Sequence, residues 1–363
     1  MSWTSPVTGR PLAADTPHSL TDGEARWPVV DGVPFLRVGR EALAAEALAA
    51  LDAGDADGAL VLLLADQDDW WTGPAATPDD LRRLVAERET LTLREAMALL
   101  AWGPVADYFA HRWSDPTYLA GLALLEAHWA EPATAFELAC GIGHYARELT
   151  RRGVACLCAD VVFAKCWVAK HWVARQAEYV CFDAAAPWPS GERRFDLVHC
   201  QDAFYFLPDQ ARVAERLRAA VAPGGVLMVG HLHNEGVAGG AMGPAKRAEE
   251  WQVLFPQATT YDEDELLAAL IEARVPYSAD WPQGPEIEAW SLAEGGGAPR
   301  PLTSGLALPD DGATLRPNPL LGPNGPLWPS ERYECEYGPR STWASRTGDP
   351  VRTRQLVDLP ERW

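Results

Sequence analysis

From Ala135 onward the chain alternates short apolar runs with stretches of helical spacing. Ala135–Cys140 reads as an apolar strand leading into Gly141-Ile142-Gly143, and His144–Arg152 follows as a helix that stops at Gly153. Val154–Ala159 is a second strand ending at Asp160, residues 163–176 read as a helix, and Tyr179–Cys181 is a third strand ending in Asp183. Phe195–Cys200 is a fourth strand. A helix over about 208–221 and the turn Ala222-Pro223-Gly224-Gly225 then lead to a fifth, Val226–Val229. Strand and helix in this rhythm imply right-handed βαβ units on a mostly parallel sheet.

The flanks are patterned differently. Residues 1–38 carry turn signals at Pro6, Gly9, Asp22-Gly23 and Asp31-Gly32, the mark of short strands joined by tight turns. Arg40–Leu51 has helical spacing and is followed by a loop carrying Asp66, Asp68, Asp69, Trp70 and Trp71. Further helices are expected at 78–88, with Thr77 as cap and Pro78 at the first position, and from Thr92, where Glu95 completes a capping box. Another runs from Asp115 to Glu126. Beyond the alternating core, a helix is expected at 262–273, with Asp262 capping and Glu265 reciprocating, and strands around 276–281 and 286–292. From 294 Gly and Pro dominate, yet Trp328, Tyr333, Tyr337 and Trp343 are too aromatic for a linker, so this tail is expected to pack on the core. Four segments result: 1–38, a helical wall or lid over 39–133, the alternating domain 134–293, and the extension 294–363.

Composition narrows the partners. The net charge is −20, with 31 Lys and Arg against 51 Asp and Glu, which disfavours a protein that must neutralise phosphates. The 7 cysteines show no paired metal-type spacing and six of them fall in expected strands and helices, as reduced apolar residues would. The N-terminus has no basic-then-apolar leader, and apolar runs such as Ala59–Ala65 are too short to span a bilayer. A cytoplasmic protein without membrane or nucleic-acid partners is expected; nothing in the sequence speaks to its oligomeric state.

The chemistry gathers at strand ends. Ligands of an open parallel sheet bind beyond the carboxyl ends of its strands, where Cys140-Gly141-Ile142-Gly143 would lie. A glycine pair after a strand is more often an ordinary turn than a ligand loop. Three carboxylates change its weight: Glu137 within strand one, Asp160 ending strand two, where it can accept from ribose hydroxyls, and Asp183 ending strand three, near where an adenine amino group would sit.

Glu137-Leu138-Ala139-Cys140-Gly141-Ile142-Gly143 resembles motif I of the class I S-adenosylmethionine-dependent methyltransferases. Asp160 matches that family's ribose-binding acid, and Asp183-Ala184 its adenine-contact position. Phe195 to Asp209 resembles the fourth-strand motif, and Val221 to Leu227 the approach to strand five. The departures are Ala139 for a usual glycine and Glu137 for the commoner aspartate. The resemblance covers about 134–293. It implies a Rossmann-like, seven-stranded, mostly parallel sheet with helical and irregular extensions, and S-adenosylmethionine as cofactor. Its contacts would be Glu137, Ala139, Cys140, Gly141, Gly143, His144, Asp160, Val161, Asp183, Ala184, Gln201 and Asp202, with Arg112 pairing with the cofactor's carboxylate. Ser5–Leu12 and Arg26–Leu36 are also similar to the small Trm112-like zinc-ribbon module. With no Cys before Cys140, a zinc site there is not expected.

Methyl transfer is an in-line displacement, so orientation and exclusion of water matter most, and a base is needed only for an acceptor of high pKa. His231, His233 and Tyr205 are the candidate catalytic groups, the two imidazoles lying on one side if the backbone is extended. Each of them could equally bond only locally. A metal held by His231, His233 and a carboxylate is not favoured, since no third ligand stands at a recognisable spacing. Tyr108, His111, Arg112, Trp113 and Tyr118 cluster before strand one, and Trp70, Trp71 and Trp113 could line an acceptor pocket. A small-molecule acceptor, such as a hydroxyl of a natural product or sugar, is the expectation. An rRNA-base methyltransferase and a non-catalytic binding or scaffold protein are the alternatives.

Overall fold

The computed structural model describes residues 3–69, 71–237, 240–241, 243–303, 305–306, 309, 313–341 and 349–363. Five short strands open the chain: β1 (Trp3–Thr4), β2 (Pro11–Thr16), β3 (Ser19–Thr21), β4 (Arg26–Val30) and β5 (Val33–Pro34), paired in that order. Helices follow: α1 (Glu41–Asp52), α2 (Ala56–Leu64), α3 (Pro78–Glu87), α4 (Leu93–Leu99), α5 (Pro104–His111) and α6 (Pro116–Ala127). The alternating region gives β6 (Thr134–Leu138), α7 (His144–Arg151), β7 (Ala155–Asp160), α8 (Phe163–Val168), β8 (Glu178–Cys181), β9 (Phe195–Gln201), α9 (Gln210–Ala219) and β10 (Val221–His233). The chain continues through α10 (Ala248–Leu254), β11 (Thr259–Asp262), α11 (Glu263–Glu272), β12 (Ala289–Gly295), β13 (Arg316–Pro317), β14 (Leu321–Gly322), β15 (Gly325–Pro326), α12 (Glu331–Tyr337) and β16 (Leu356–Val357).

The main sheet has seven strands in the order β11-β12-β10-β9-β6-β7-β8, a Rossmann-like arrangement. β9 runs parallel to β10 and β7 to β8, whereas β12 is antiparallel to both β10 and β11. By packing, the chain forms two compact units. One comprises Met1–Ala106, Phe136–Arg194 and Pro360–Trp363; the other comprises Asp107–Ala135 and Phe195–Leu359.

In the first unit the caps follow the sequence. Thr77 accepts from the Asp80 amide at 3.1 Å ahead of Pro78, and Thr92 and Glu95 form both bonds of their box. Helix α2 covers the apolar run that ends at Leu64; Asp55 caps it, accepting from the Gly58 amide at 2.8 Å. The expected helix at 163–176 is α8 continued by a π-helical turn, Ala169–Val173. In the acidic loop Asp66 pairs with Arg37 and with Arg40, and Asp69 also pairs with Arg40. Trp70 lies outside the described residues.

The second unit is built around α6, all of whose residues are buried, as befits a helix apolar all round. Asp115 caps it through the Tyr118 amide at 2.7 Å. Two expectations are corrected here. Glu265 does not reciprocate the Asp262 cap; its carboxylate accepts from Arg274 and from the Tyr277 amide. The strand expected at 276–281 is replaced by one bridge, Ala279 to Thr260, since Pro276 and Pro282 bring no N–H to a ladder. On the side of β12 away from β10, the pairing strand is β11, just before the helix. In the extension, Tyr333 and Tyr337 of α12 bury against Leu320 and Tyr108, whereas Trp343 lies outside the described residues.

Candidate cofactor loop and buried polar cluster

In the first unit, β6 delivers the chain into a loop of left-handed residues: Ala139 (φ 56°), Gly141 (φ 53°) and Gly143 (φ 81°). That conformation explains why glycine is usual where Ala139 stands, since a side chain there costs about 1–2 kcal/mol. Gly143 has a second reason to lack a side chain: a Cβ would fall 3.1 Å from the Tyr179 hydroxyl and 3.2 Å from Ala169. His144, buried, opens α7 directly behind it, and Cys140 is buried as well.

Asp160, at the end of β7, ties two loops together. Its Oδ2 accepts from the Gly141 amide and its Oδ1 from the Val162 amide, each at 3.0 Å, and the Lys165 ammonium stands 3.7 Å away. Each oxygen keeps a further lone pair, so the carboxylate can still accept from two vicinal hydroxyls. Val161 stands next to it, its carbonyl taken by the Cys181 thiol. Asp183 accepts from the Ala185 amide at 2.8 Å, and the Ala184 carbonyl takes the Trp188 indole N–H at 3.0 Å.

Glu137 differs from the other two acids. It is buried against the Cys158 thiol and the Ala146 amide of α7, and burial pushes its carboxyl up to about 8. It is a neutral acid over most of the physiological range rather than a surface carboxylate.

In the second unit, a buried polar cluster forms at the carboxyl ends of β9 and β10. Asp202, just past β9 and left-handed (φ 52°), accepts from the Tyr108 and Tyr205 hydroxyls, each at 2.8 Å, and pairs with Arg112 at 3.0 Å. Burial alone would raise this carboxyl; Arg112, His231 and the two hydroxyls outweigh it and hold Asp202 below the usual range. Arg112 pairs through one guanidinium nitrogen with both Asp202 and Asp115 (3.1 Å). Asp115, fully buried, is pushed up to about 6 despite that arginine.

His231 and His233 do lie side by side, ring centroids 4.5 Å apart, though not along a regular strand. The β10–β12 register shifts between Val229 and Leu232, and His231 takes φ 61° at that bulge. His231 Nδ1 donates to Glu263 at 2.8 Å, and its Nε2 stands 3.7 Å from Asp202. Burial disfavours its charge, but Glu263 and Asp202 prevail and raise the imidazole to about 9. His233 behaves oppositely: burial and the neighbouring His231 depress it to about 3, and its Nδ1 finds no hydrogen-bond partner among the described residues. The Tyr205 ring packs edge-on against His233 at 4.4 Å.

Glu263, Ser291, Arg340 and Glu288 belong to this cluster and were not foreseen. Ser291 donates to Glu263 at 2.7 Å, while Arg340 reaches Glu263 at 3.5 Å and Glu288 at 2.7 Å. Glu263 looked like part of a helix start, and Arg340 sits in a tail with no motif. Gln201, at the end of β9, is buried with its Nε2 unpartnered, and its Oε1 lies over Gly230, where a Cβ would come within 1.8 Å. Trp113 and Tyr118 are buried.

Residues 136–229 match the family model described as Methyltransferase domain. That stretch, about a quarter of the chain, is similar to methyltransferase domains. The cofactor that such a domain implies is S-adenosylmethionine, and the first unit's residues fit it: the side-chain-poor loop and the spare lone pairs of Asp160. Bound, that sulfonium supplies an electrophilic methyl group. No curated protein matches the chain. Among solved structures, the CcbJ methyltransferase from Streptomyces caelestis is similar at 14% identity, over 50% of this chain and 96% of that one, with a TM-score of 0.39. A TehB-like methyltransferase from Corynebacterium glutamicum is similar at 15% identity over 53% and 97%, TM-score 0.38. Among the described residues, no helix is long and apolar enough to cross a membrane.

Proposed function

We propose that this methyltransferase domain transfers the methyl group of S-adenosylmethionine to a small-molecule acceptor. Glu137, Ala139, Cys140, Gly141, Gly143, His144, Asp160, Val161, Asp183 and Ala184 are assigned to the cofactor, with Gln201 and Asp202. The observation that carries the acceptor half is the buried cluster around Asp202. Tyr108, Arg112 and Tyr205 hold that carboxylate rigidly; His233 stands beside it as the group that can take an acceptor's proton, with His231 as the imidazolium next to it. Such pre-satisfied polar groups orient a ligand without reorganising during the reaction, and orientation is what methyl transfer demands. A net charge of −20 supports a small acceptor over a polyphosphate one.

Two measurements test this. Calorimetry of the full chain with S-adenosylhomocysteine should show binding to one site, weakened about tenfold or more by Asp160→Asn, which loses charge-assisted bonds of about 1.5–3 kcal/mol each. Incubation with methyl-labelled S-adenosylmethionine and pools of hydroxylated and aminated metabolites should label an organic-soluble product, and Asp202→Asn should abolish it. Label entering total RNA in a parallel incubation overturns the small-molecule assignment.

A further inference from the structure

The sequence offers two histidines of β10 and no third ligand within reach of them. The fold brings one. His233 pairs with Ala289 across β10 and β12, and the Asn234 amide donates to the Glu288 carbonyl at 2.9 Å, so Glu288 is fixed beside the imidazoles despite the 55 positions that separate it from His233. One donor atom from each of His231, His233 and Glu288 lies within 4.8 Å of the other two.

We propose that His231, His233 and Glu288 bind one divalent transition-metal ion of the zinc or cobalt type. Two imidazoles and a carboxylate are the donor set such ions prefer, and three protein ligands leave a position open for an acceptor oxygen. Bonds of about 2 Å to one ion place neighbouring ligands roughly 3.3 Å apart, so closure needs side-chain adjustments of about 1 Å. Three further features favour the ion. His231 is already oriented as a ligand, because Glu263 holds its Nδ1–H and leaves Nε2 to the metal, while Ser291 and Arg340 hold Glu263 in turn. His233 buries a ring nitrogen that hydrogen bonding within the described residues leaves open. Carboxylates still outnumber cations: Asp115, Asp202, Glu263 and Glu288 stand against Arg112, Arg340 and the His231 imidazolium, whose Nε2 proton the ion displaces. Glu288 engages Arg340 through Oε2 and is the most exposed of the three ligands, which gives an ion a way in. An ion here would acidify a bound hydroxyl, and the two imidazoles would act as ligands rather than bases.

The test uses the full chain, stripped with a chelator and titrated with Co2+, whose visible absorption reports four- or five-coordinate binding. One Co2+ per chain with intensified visible bands is expected. Glu288→Gln should weaken binding at least tenfold, and Glu263→Gln by about 10–100-fold through the orientation of His231. His233→Asn should abolish the bands. S-adenosylhomocysteine binding, measured on the same samples, reports folding and the cofactor site independently. If stripped chain binds S-adenosylhomocysteine but shows only the spectrum of the aqueous ion at millimolar Co2+, the metal site is wrong while the transferase reading stands. The same holds if Glu288→Gln binds both ligands like the parent chain.

Discussion

Glu137 offers a sharp test of how burial acts on this domain. Its carboxyl is held near 8 by the interior it shares with Cys158 and the first turn of α7, against 4.5 for an exposed glutamate. The folded state therefore binds a proton that the unfolded chain has released between about pH 4.5 and 8. The contribution is full below the unfolded value and is lost as pH rises towards the folded one. At about 1.36 kcal/mol per unit, the raised pKa caps the loss at roughly 5 kcal/mol, and water penetration and local relaxation bring the expected figure to about 2–4 kcal/mol.

The perturbation is Glu137→Gln, which keeps the shape and the acceptor for the Ala146 amide but cannot ionise. It leaves amide hydrogens facing only a thiol, a cost of about 1 kcal/mol. The variant should therefore be less stable than the parent by about 1 kcal/mol at pH 5 and more stable by about 1–3 kcal/mol at pH 9, the two curves crossing between. Urea unfolding followed by circular dichroism at half-unit pH steps measures this, and the difference between the two proteins cancels every other titrating group. A difference that stays constant from pH 5 to 9 would falsify the assignment of a neutral buried acid.

Four further outcomes follow from the same geometry. Ala139→Gly relieves the left-handed strain but loosens the unfolded chain, so urea unfolding should show a change between zero and about +1 kcal/mol. Gly143→Ala, placing a Cβ 3.1 Å from the Tyr179 hydroxyl at φ 81°, should lose about 1–3 kcal/mol by the same assay and weaken S-adenosylhomocysteine in calorimetry. Arg340→Met strands Glu263 and Glu288 without their shared cation and should cost about 3–5 kcal/mol, visible as a lowered Tm. Tyr108→Phe removes one hydroxyl from Asp202 and should cost about 1–2 kcal/mol in urea unfolding.

The parts of the fold legible in the sequence are those governed by local rules. Thr77, Thr92 and Asp115 cap helices because a side-chain oxygen three residues before a free amide is sufficient cause, and the five core strands declare themselves by apolar runs between helices. Helix α2 was hidden because Ala59–Leu64 is apolar on every side, a run whose period is silent about helix or strand. The exchange of 276–281 for β11 has a similar origin. Thr259-Thr260-Tyr261 is too short to stand out beside the Asp262 cap, and its pairing is decided by β12, thirty residues on.

The site divides along the same line, and the division has a chemical meaning. A loop that cradles a ligand with backbone is built from residues close in sequence; its left-handed positions, Ala139, Gly141 and Gly143, stand at every second residue and form a readable motif. The buried polar cluster is built from side chains delivered by separate elements: Tyr108 by α5, Asp202 from the end of β9, His231 by a bulge in β10, Glu263 by α11, Arg340 by the extension. No spacing rule links such residues, since each position is set by packing and register. Their charges explain why they were assembled together all the same. A buried Asp202 without Arg112 and its tyrosines, or a buried Glu263 without His231 and Arg340, would cost several kcal/mol and protonate instead. Each long-range charge therefore requires its partner, and a change at Asp202 or Glu263 should be tolerated only when the partners change with it.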